Sequence, residues 1–458
     1  MDVHAGAQEK APDPVPESYG LRRGTLSPIE VLAQSISTIA PSTTPALTVP
    51  LVFALAGNGS WLAYVIAMGA MVLVSLPIAA FARTSASPGS LYVYTRDTLP
   101  RGYASVAMLA LFFAYVMTAA SVIGGFVNSC QLFLGTVRVP AVVLAMVAGV
   151  GAFLFASGEV RFSARVMLWV ELTSVSLIAV VVVLVLVRHG FKVDVAQVRL
   201  QGASASGVRL GVMLAVFSFV GFESATTLGV EAQRPLRTIP RAVVLSAVTV
   251  GVFFVVCTYA EVVGFRGSGM SLGESTAPFR MLAGAARVAW IGPVIDAGVL
   301  VSMFAATLAC VIAAGRVLLL MTHDGMVSKK LGRTHARTKS PVAACAVTAG
   351  LALAPAAVLV LRGVSGADVY GYMGTLAVYG FLTVYALVVV AAVVFVRRRG
   401  DMTAGRWVIA LVAGVAMVAG LVGSVVPVPP APYRYLPWVY AGYLVCGCGW
   451  AWRRRVAS

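Results

Sequence analysis

Residues 37–46 read Ser-Thr-Ile-Ala-Pro-Ser-Thr-Thr-Pro-Ala, and residues 217–229 read Phe-Ser-Phe-Val-Gly-Phe-Glu-Ser-Ala-Thr-Thr-Leu-Gly. Each stretch interrupts an apolar segment and places Pro or Gly beside small hydroxyl residues. A backbone that leaves the helix at such a place has unpaired N–H and C=O groups, which lipid cannot satisfy, so these breaks are tolerated only where they line a cavity or are buried in protein. The two stretches therefore predict two discontinuous membrane helices.

The composition is that of a membrane protein. Hydrophobic residues make up 59% of the 458 positions and charged residues 11%, whereas soluble domains carry about a quarter charged residues. A hydrocarbon core needs roughly 20 apolar residues per helix, and this criterion predicts an all-α integral membrane protein with twelve transmembrane helices. The predicted spans cover residues 27–56, 61–81, 103–132, 139–156, 166–187, 210–230, 242–263, 289–320, 342–361, 370–396, 407–426 and 435–452.

The net charge of +17 is distributed unevenly between the two sides of this topology. Twenty-four of the 34 Lys and Arg fall in segments on the side of the N-terminus, and ten fall on the other side. By the positive-inside rule, both termini are then cytoplasmic. We therefore expect a multi-pass protein of the cytoplasmic membrane with some attraction to anionic lipid headgroups, and we do not expect nucleic acid as a partner.

The remaining chemistry-bearing residues exclude several classes of function. Residues 1–26 are polar and proline-rich, and we expect a disordered cytoplasmic tail there rather than a removable signal peptide. The six cysteines lie in or beside predicted spans without the spacing of a metal site, and the four histidines lie in tails or loops. The sequence therefore predicts no enzyme, no metal and no cofactor.

Five acidic residues lie in or near the predicted spans: Glu30, Glu171, Glu223, Glu261 and Asp296. We expect every Lys and Arg, by contrast, to lie in a loop or at a helix end. Because a charge at a helix centre is costly, each is a candidate functional group. Glu30 and Glu261 lie near helix ends, where contact with water makes a carboxylate ordinary. Asp296 follows Gly-Pro, and we expect it to cap a helix start.

Glu171 and Glu223 lie deeper. Glu171, on the fifth predicted helix, is either a structural hydrogen-bond partner or a functional acid. Glu223 lies inside the second break, where it either accepts the freed backbone N–H groups and holds the break open, or acts as a proton acceptor or gate element. The two roles of Glu223 are compatible.

Further motifs occur along the chain. In order, they are Pro88-Gly-Ser-Leu-Tyr-Val-Tyr94; Ser163-Ala-Arg165; residues 217–225; residues 231–242, which read Glu-Ala-Gln-Arg-Pro-Leu-Arg-Thr-Ile-Pro-Arg-Ala; and residues 315–326 and 331–341. Together, they resemble the signature of the amino acid–polyamine–organocation (APC) permeases over residues 27–396. That resemblance implies a LeuT-like five-plus-five inverted repeat, with repeats at about 27–188 and 208–396 and with helices one and six discontinuous. Residues 397–458 then form two additional transmembrane helices and a short cytoplasmic C-terminus.

The resemblance also implies a function. We expect a secondary active transporter that moves amino acids or closely related amines by alternating access, as proton symport or exchange, with helices one, two, six and seven rocking against the rest. H⁺ or Na⁺ is the possible coupling ion. Residues 171–176 lack the lysine through which some relatives couple to protons. A transporter of polyamines or other organic cations and a non-transporting nutrient receptor are the alternatives.

Finally, the resemblance implies a substrate site at the two breaks. A helix N-terminus after the first break faces a substrate carboxylate, carbonyl groups at the second break face its ammonium group, and Phe217 forms a lid. The predicted substrate-binding residues are Ile39, Ala40, Pro41, Ser42, Thr43, Thr44, Phe217, Phe219, Val220, Gly221 and Thr375, and the predicted gate or coupling residues are Phe217, Glu223 and Glu171.

The first break departs from the family pattern. Many members carry Gly-Ser-Gly where this chain has Pro41-Ser42-Thr43. Proline has no backbone N–H, so we expect the hydroxyl groups of Ser42, Thr43 or Thr44 to replace backbone donors, and a substrate with an altered headgroup stays open. Tyr115, Thr375 and Tyr379 either reach the cavity or make ordinary contacts between helices.

Overall fold

The computed structural model describes residues 19–135, 137, 139–426, 428–429 and 431–456. Within these ranges the chain is helical, and Leu26 forms an isolated parallel bridge with Ala232. The α-helices are α1 (Pro28–Ile39), α2 (Val49–Ala56), α3 (Ser60–Ala82), α4 (Leu91–Arg96), α5 (Arg101–Leu134), α6 (Ala141–Ser157), α7 (Val160–Arg188), α8 (Val195–Val198), α9 (Ala205–Phe217), α10 (Pro235–Gly264), α11 (Pro278–Ala285), α12 (Ile291–His323), α13 (Val342–Leu361), α14 (Gly366–Arg398), α15 (Ala404–Gly423) and α16 (Leu436–Val456).

Eight helical stretches among the described residues are long and apolar enough to cross a membrane. They are Pro28–Ala82, Arg101–Leu134, Phe162–Arg188, Pro235–Gly264, Ile291–His323, Val342–Leu361, Gly366–Arg398 and Ala404–Gly423. Of two shorter apolar helices, α6 coincides with the fourth predicted span, whereas α9 ends at Phe217 and overlaps only the first part of the sixth, residues 210–230. The chain is therefore an all-helical, multi-pass membrane protein, whereas the number of twelve spans and the inverted repeat stay predictions.

The centre of the bundle is α5, and α12 and α14 both pack along it. The helices α5 and α14 approach closely, because a Cβ atom on Gly380 would lie 2.7 Å from the carbonyl oxygen of Ala110. The helix α1 packs against α7, α10 and α12, while α2 and α3 pack against α9. This arrangement places both interrupted segments inside the bundle.

We call the end of the bundle at which α1 begins the N-terminal face. Of the predicted disordered tail, residues 1–18 lie outside the described residues. The backbone N–H of Gly24 donates to the carbonyl oxygen of Val230 at 3.1 Å, and that of Leu26 donates to the carbonyl oxygen of Glu231 at 2.9 Å. Residues 19–26 therefore pack on the segment that follows the second break, which differs from the prediction of a tail extending to residue 26.

The loop between α7 and α8 is held on the opposite face. Arg266 pairs with Asp194 at 3.0 Å, and the side chain of Gln197 donates to the same carboxylate at 3.0 Å. Partial burial raises the pKa of Asp194, but the hydrogen bonds from Gln197 and Arg266 outweigh that effect, and the net shift is downward. A carboxylate held in its charged form by these donors fastens the loop to the end of α10.

Candidate functional site

Both predicted breaks are present. The helix α1 ends at Ile39, Ala40 has a positive φ of 52°, and the chain resumes as a π-helix at Thr44–Thr48. The helix α9 ends at Phe217, Gly221 has a φ of 95°, and a 3₁₀-helix follows at Ser224–Leu228. One residue explains each break: Pro41 lacks the backbone N–H that a continuing helix needs, and Gly221 adopts a φ that residues with a side chain disfavour.

The two breaks contact each other directly. The hydroxyl group of Ser35 donates to the carbonyl oxygen of Phe222 at 2.7 Å and accepts from the N–H of Ala225 at 3.0 Å. The hydroxyl group of Ser224 donates to that of Thr38 at 2.8 Å. Side-chain hydroxyls of α1 thus satisfy backbone groups that the second break frees, as a buried break requires.

Gly221 lies against α1 without room for a side chain. A Cβ atom at this position would lie 2.3 Å from the methyl group of Thr38. The positive φ and this close approach are independent reasons for glycine. Gly221 therefore determines how closely the second break packs on α1.

Three hydroxyl groups at the first break have no hydrogen-bond partner. They belong to Ser37, Ser42 and Thr43, and all three residues are buried. A buried hydroxyl left without a partner costs about 1–3 kcal/mol, so a cluster of them suits a polar ligand that supplies the missing partners. Of the predicted donors, Ser42 and Thr43 have this property, and Ser37 was not among the predicted residues.

Phe217 covers the breaks on the side away from the N-terminal face. Its ring contacts Tyr370 of α14 edge-on, with 5.4 Å between the ring centroids. It also lies on Gly374, where a Cβ atom would be 2.5 Å from the Phe217 ring. Tyr370 in turn contacts the hydroxyl group of Thr48 at 3.3 Å. These contacts join α9, α14 and the segment after the first break into one layer above the site.

The other predicted substrate residues are placed as follows. Pro41, Thr44, Phe219 and Val220 are buried at the two breaks, as are Ile39 and Ala40. Thr375 is half-buried and donates to the carbonyl oxygen of Gly371 in its own helix at 2.8 Å. Tyr379 stacks on Tyr440 of α16, so its ring faces α16.

Glu223 is fully buried and bound by two tyrosines. Tyr115 of α5 donates to its Oε1 atom at 2.7 Å, and Tyr385 of α14 donates to its Oε2 atom at 2.5 Å. From the sequence, we expected freed backbone N–H groups of the second break among the donors to this carboxylate. Tyr385 was missed, because nothing in the sequence distinguishes it among 15 tyrosines.

Glu171 lies at the contact between α7 and α12. Ser302 donates to its Oε1 atom at 2.6 Å, and its Oε2 atom has no hydrogen-bond partner. Thr307, a neighbour on α12, donates instead to the carbonyl oxygen of Met303 at 2.9 Å. The described residues contain no group of three or more His, Cys, Asp or Glu that would hold a metal ion.

The three acids expected near helix ends differ from one another. Glu30 pairs with Arg165 at 2.8 Å and forms a capping box with Ser27. Asp296 pairs with Arg280 rather than capping a helix start. Glu261 is fully buried, and neither of its carboxylate oxygens has a hydrogen-bond partner. The expectation that Glu261 contacts water is therefore wrong, because α10 continues to Gly264 and is covered by its neighbours.

A buried ion pair lies beneath the second break. Arg316 of α12 donates two hydrogen bonds, at 2.6 and 2.9 Å, to the carboxylate of Glu231, and their side chains are 2% and 3% exposed. Sequence reasoning placed every Lys and Arg in a loop or at a helix end. Arg316 corrects that, since it lies within α12 and its charge is compensated by Glu231.

Comparisons with known proteins agree with this architecture. The sequence pattern described as "Amino acid permease" matches residues 26–447. An uncharacterized transporter of Mycobacterium tuberculosis is 32% identical over 161 residues, which are 35% of this chain and 36% of that relative. The chain thus aligns with about a third of the length of that protein.

Two further relatives align over more of the chain. The human cationic amino acid transporter 4 is 26% identical over 398 residues, which are 80% of this chain and 60% of that protein. The branched-chain amino acid permease BcaP of Lactococcus lactis is 25% identical over 342 residues, which are 67% and 70% of the two chains. The family match and these relatives confirm the resemblance to APC permeases. Because the family pattern covers most of its length, this chain belongs to the amino acid permease family.

Proposed function

We propose that the chain carries amino acids or closely related amines across the cytoplasmic membrane by alternating access. The observation that supports this most directly is the set of buried hydroxyl groups without hydrogen-bond partners at the first break. Serine and threonine hydroxyls both donate and accept hydrogen bonds, so they suit the carboxylate or the ammonium group of a small zwitterion. In this proposal, the Phe217–Tyr370 layer closes the site on one side and the Glu231–Arg316 pair closes it on the other.

The proposed organisation is that of twelve spans with a ten-helix core at 27–396, in which both termini are cytoplasmic. In this arrangement α1, α2, α3, α9 and α10 form the moving bundle, and the N-terminal face is the cytoplasmic face. The excess of Lys and Arg on that side supports the orientation.

The alternative substrate class is a polyamine or other organic cation. The name of one relative, a cationic amino acid transporter, supports this alternative. Against it, both oxygens of Glu223 already accept hydrogen bonds from buried tyrosines, which reduces the capacity of this carboxylate to accept hydrogen bonds from a second ammonium group. A receptor that binds amino acids without transporting them is the further alternative.

The deciding experiment is uptake of labelled amino acids into proteoliposomes with and without an inward proton gradient. Accumulation that collapses with the gradient supports proton symport, and uptake that needs internal amino acid supports exchange. Binding without uptake supports the receptor. No uptake or binding of any amino acid, with uptake of polyamines, overturns the proposal.

Substitutions test whether the predicted site residues take part in this uptake. Ser42→Ala with Thr43→Val is expected to raise the KM for the substrate, whereas Thr173→Val, an exposed threonine on α7, is the matched control. Glu223→Gln tests coupling. If that variant still accumulates substrate against a gradient at the wild-type rate, Glu223 is not the coupling acid.

A further inference from the structure

A groove opens on the N-terminal face between the ends of α3, α10, α14 and α15. It consists of two cavities of about 420 and 820 Å³ that share Leu76, Arg83 and Val244 in their walls. The first cavity lies between the pair α3 and α10 on one side and the pair α14 and α15 on the other. The second lies between α3 and α10.

Five arginines surround this groove: Arg83, Arg237, Arg241, Arg399 and Arg406. Their positions follow from the topology, since α3 and α14 end at this face while α10 and α15 begin there. Asp401 is the one carboxylate among the residues that line either cavity. The groove thus has a strong excess of positive charge.

Much of this charge is uncompensated by the protein. Among the described residues, no carboxylate pairs with Arg83, Arg237 or Arg241. Arg399 lies over the ring of Phe395 at 4.5 Å, and Arg406 donates to the backbone carbonyl of Asp401. All five side chains therefore remain available to an anion.

The walls beneath the arginines are apolar and exposed on the outside of the bundle. Leu76, Leu245 and Val248 are 38%, 47% and 37% exposed, and Val393 and Val396 continue the surface on α14. A small soluble anion would gain no binding energy from contact with these apolar side chains. Acyl chains fit them, and a phosphate at their upper end would lie among the arginines, as in basic pockets between membrane helices that bind anionic headgroups.

We propose that this groove is a binding site for one anionic glycerophospholipid of the leaflet at the N-terminal face. Its acyl chains lie against α3, α10 and α14, and its phosphate pairs with Arg83 and Arg406. If the proposed function holds, the lipid bridges the moving bundle and α14–α15, so its occupancy also affects the rate of transport. Binding itself does not depend on that function.

Native mass spectrometry of the purified full chain tests the proposal, with phosphatidylglycerol and phosphatidylcholine of identical acyl chains added in equal amounts. We expect one phosphatidylglycerol to be retained under conditions that remove phosphatidylcholine. The variant Arg83→Gln with Arg406→Gln should weaken retention by about fivefold per arginine. The matched control is Lys329→Gln with Lys330→Gln, which removes the same charge from the same face on a 3₁₀-helix outside the groove, and it should retain the lipid.

A second variant tests the apolar walls of the groove without changing its charge. Val244→Trp fills the wall shared by both cavities, keeps every arginine, and should abolish retention without changing the thermal stability of the lipid-free protein. Glycerol 3-phosphate, which has the headgroup chemistry without chains, should not compete. Equal retention of both lipids, equal loss in the lysine control, or competition by glycerol 3-phosphate would each overturn the proposal.

Discussion

Tyr385 on α14 donates a hydrogen bond to Glu223 at 2.5 Å and so joins the centre of the bundle to the second break. Tyr115 on α5 completes the arrangement from the other side at 2.7 Å. The carboxylate of Glu223 is therefore held between two helices that pack closely on each other, while its own backbone belongs to the interrupted segment. Any movement of this segment relative to α5 and α14 must break or rearrange these two bonds.

We expect Tyr385→Phe to lower the free energy of unfolding by about 1–3 kcal/mol, because it leaves a buried carboxylate oxygen without its donor. The ring and its stacking on Phe381 are retained. Thermal unfolding of the purified protein in detergent measures the effect, and a cycle with Glu223→Gln isolates the pair. Tyr103→Phe, at an exposed position of α5, is the control. Additive effects of the two substitutions would show that the bond contributes nothing.

Gly221→Ala should destabilise the protein by about 1–3 kcal/mol, because alanine is strained at this φ and its Cβ would lie 2.3 Å from the Thr38 methyl group. Adding Thr38→Ser removes that methyl group and should restore part of the loss, since the strain in φ remains. Gly69→Ala, on α3 in open space, should be neutral or stabilising by up to about 1 kcal/mol. The melting temperatures of the wild type and these three variants measure the effects. A Gly221→Ala variant as stable as the wild type would contradict the argument.

The pair Glu231–Arg316 should be costly to break. Arg316→Met leaves a buried carboxylate without its partner, which typically costs about 3–5 kcal/mol. The double variant Arg316→Met with Glu231→Gln removes both charges and should recover much of the stability. Arg22→Gln breaks the exposed pair with Glu159, where a loss of about 0–1 kcal/mol is typical. Unfolding of the three variants in mixed micelles measures the difference, and equal losses for Arg316→Met and Arg22→Gln would refute it.

The positions of the two breaks were predictable because local chemistry determines them. Pro41 and Gly221 change what the backbone can do wherever the helix is placed, so their effect is visible without tertiary structure. The partners of Glu223 were not predictable in the same way. Tyr385 is 162 residues away in sequence, and only the packing of α14 on α5 brings it to the carboxylate.

Burial of charge was also misjudged from sequence, for a physical reason. Distance from a helix end predicts contact with water only where nothing covers that end. Near Arg316, residues 19–26 extend past the end of α12 on the N-terminal face and cover it. Glu261, at the other end of α10, is also fully buried. Whether a charged residue is paired then depends on tertiary contacts such as Glu231–Arg316, which no local pattern contains.

Glu261 provides the opposite case to Arg316, because it is buried without any compensation. Neither carboxylate oxygen has a hydrogen-bond partner, and the hydroxyl group of Thr258, three residues earlier on α10, also has none. A buried polar group without partners costs about 1–3 kcal/mol in proteins, so Glu261→Met should raise the thermal stability by an amount of that order. Glu30→Met is the matched control and should lower it, since Glu30 pairs with Arg165 and caps α1. If Glu261→Met melts below the wild type, the carboxyl group has a partner that stabilises the protein. If the variant is more stable and transports as before, the acid is dispensable. If it is more stable but inactive, natural selection has kept the unfavourable group for transport, because stability is commonly given up at functional sites.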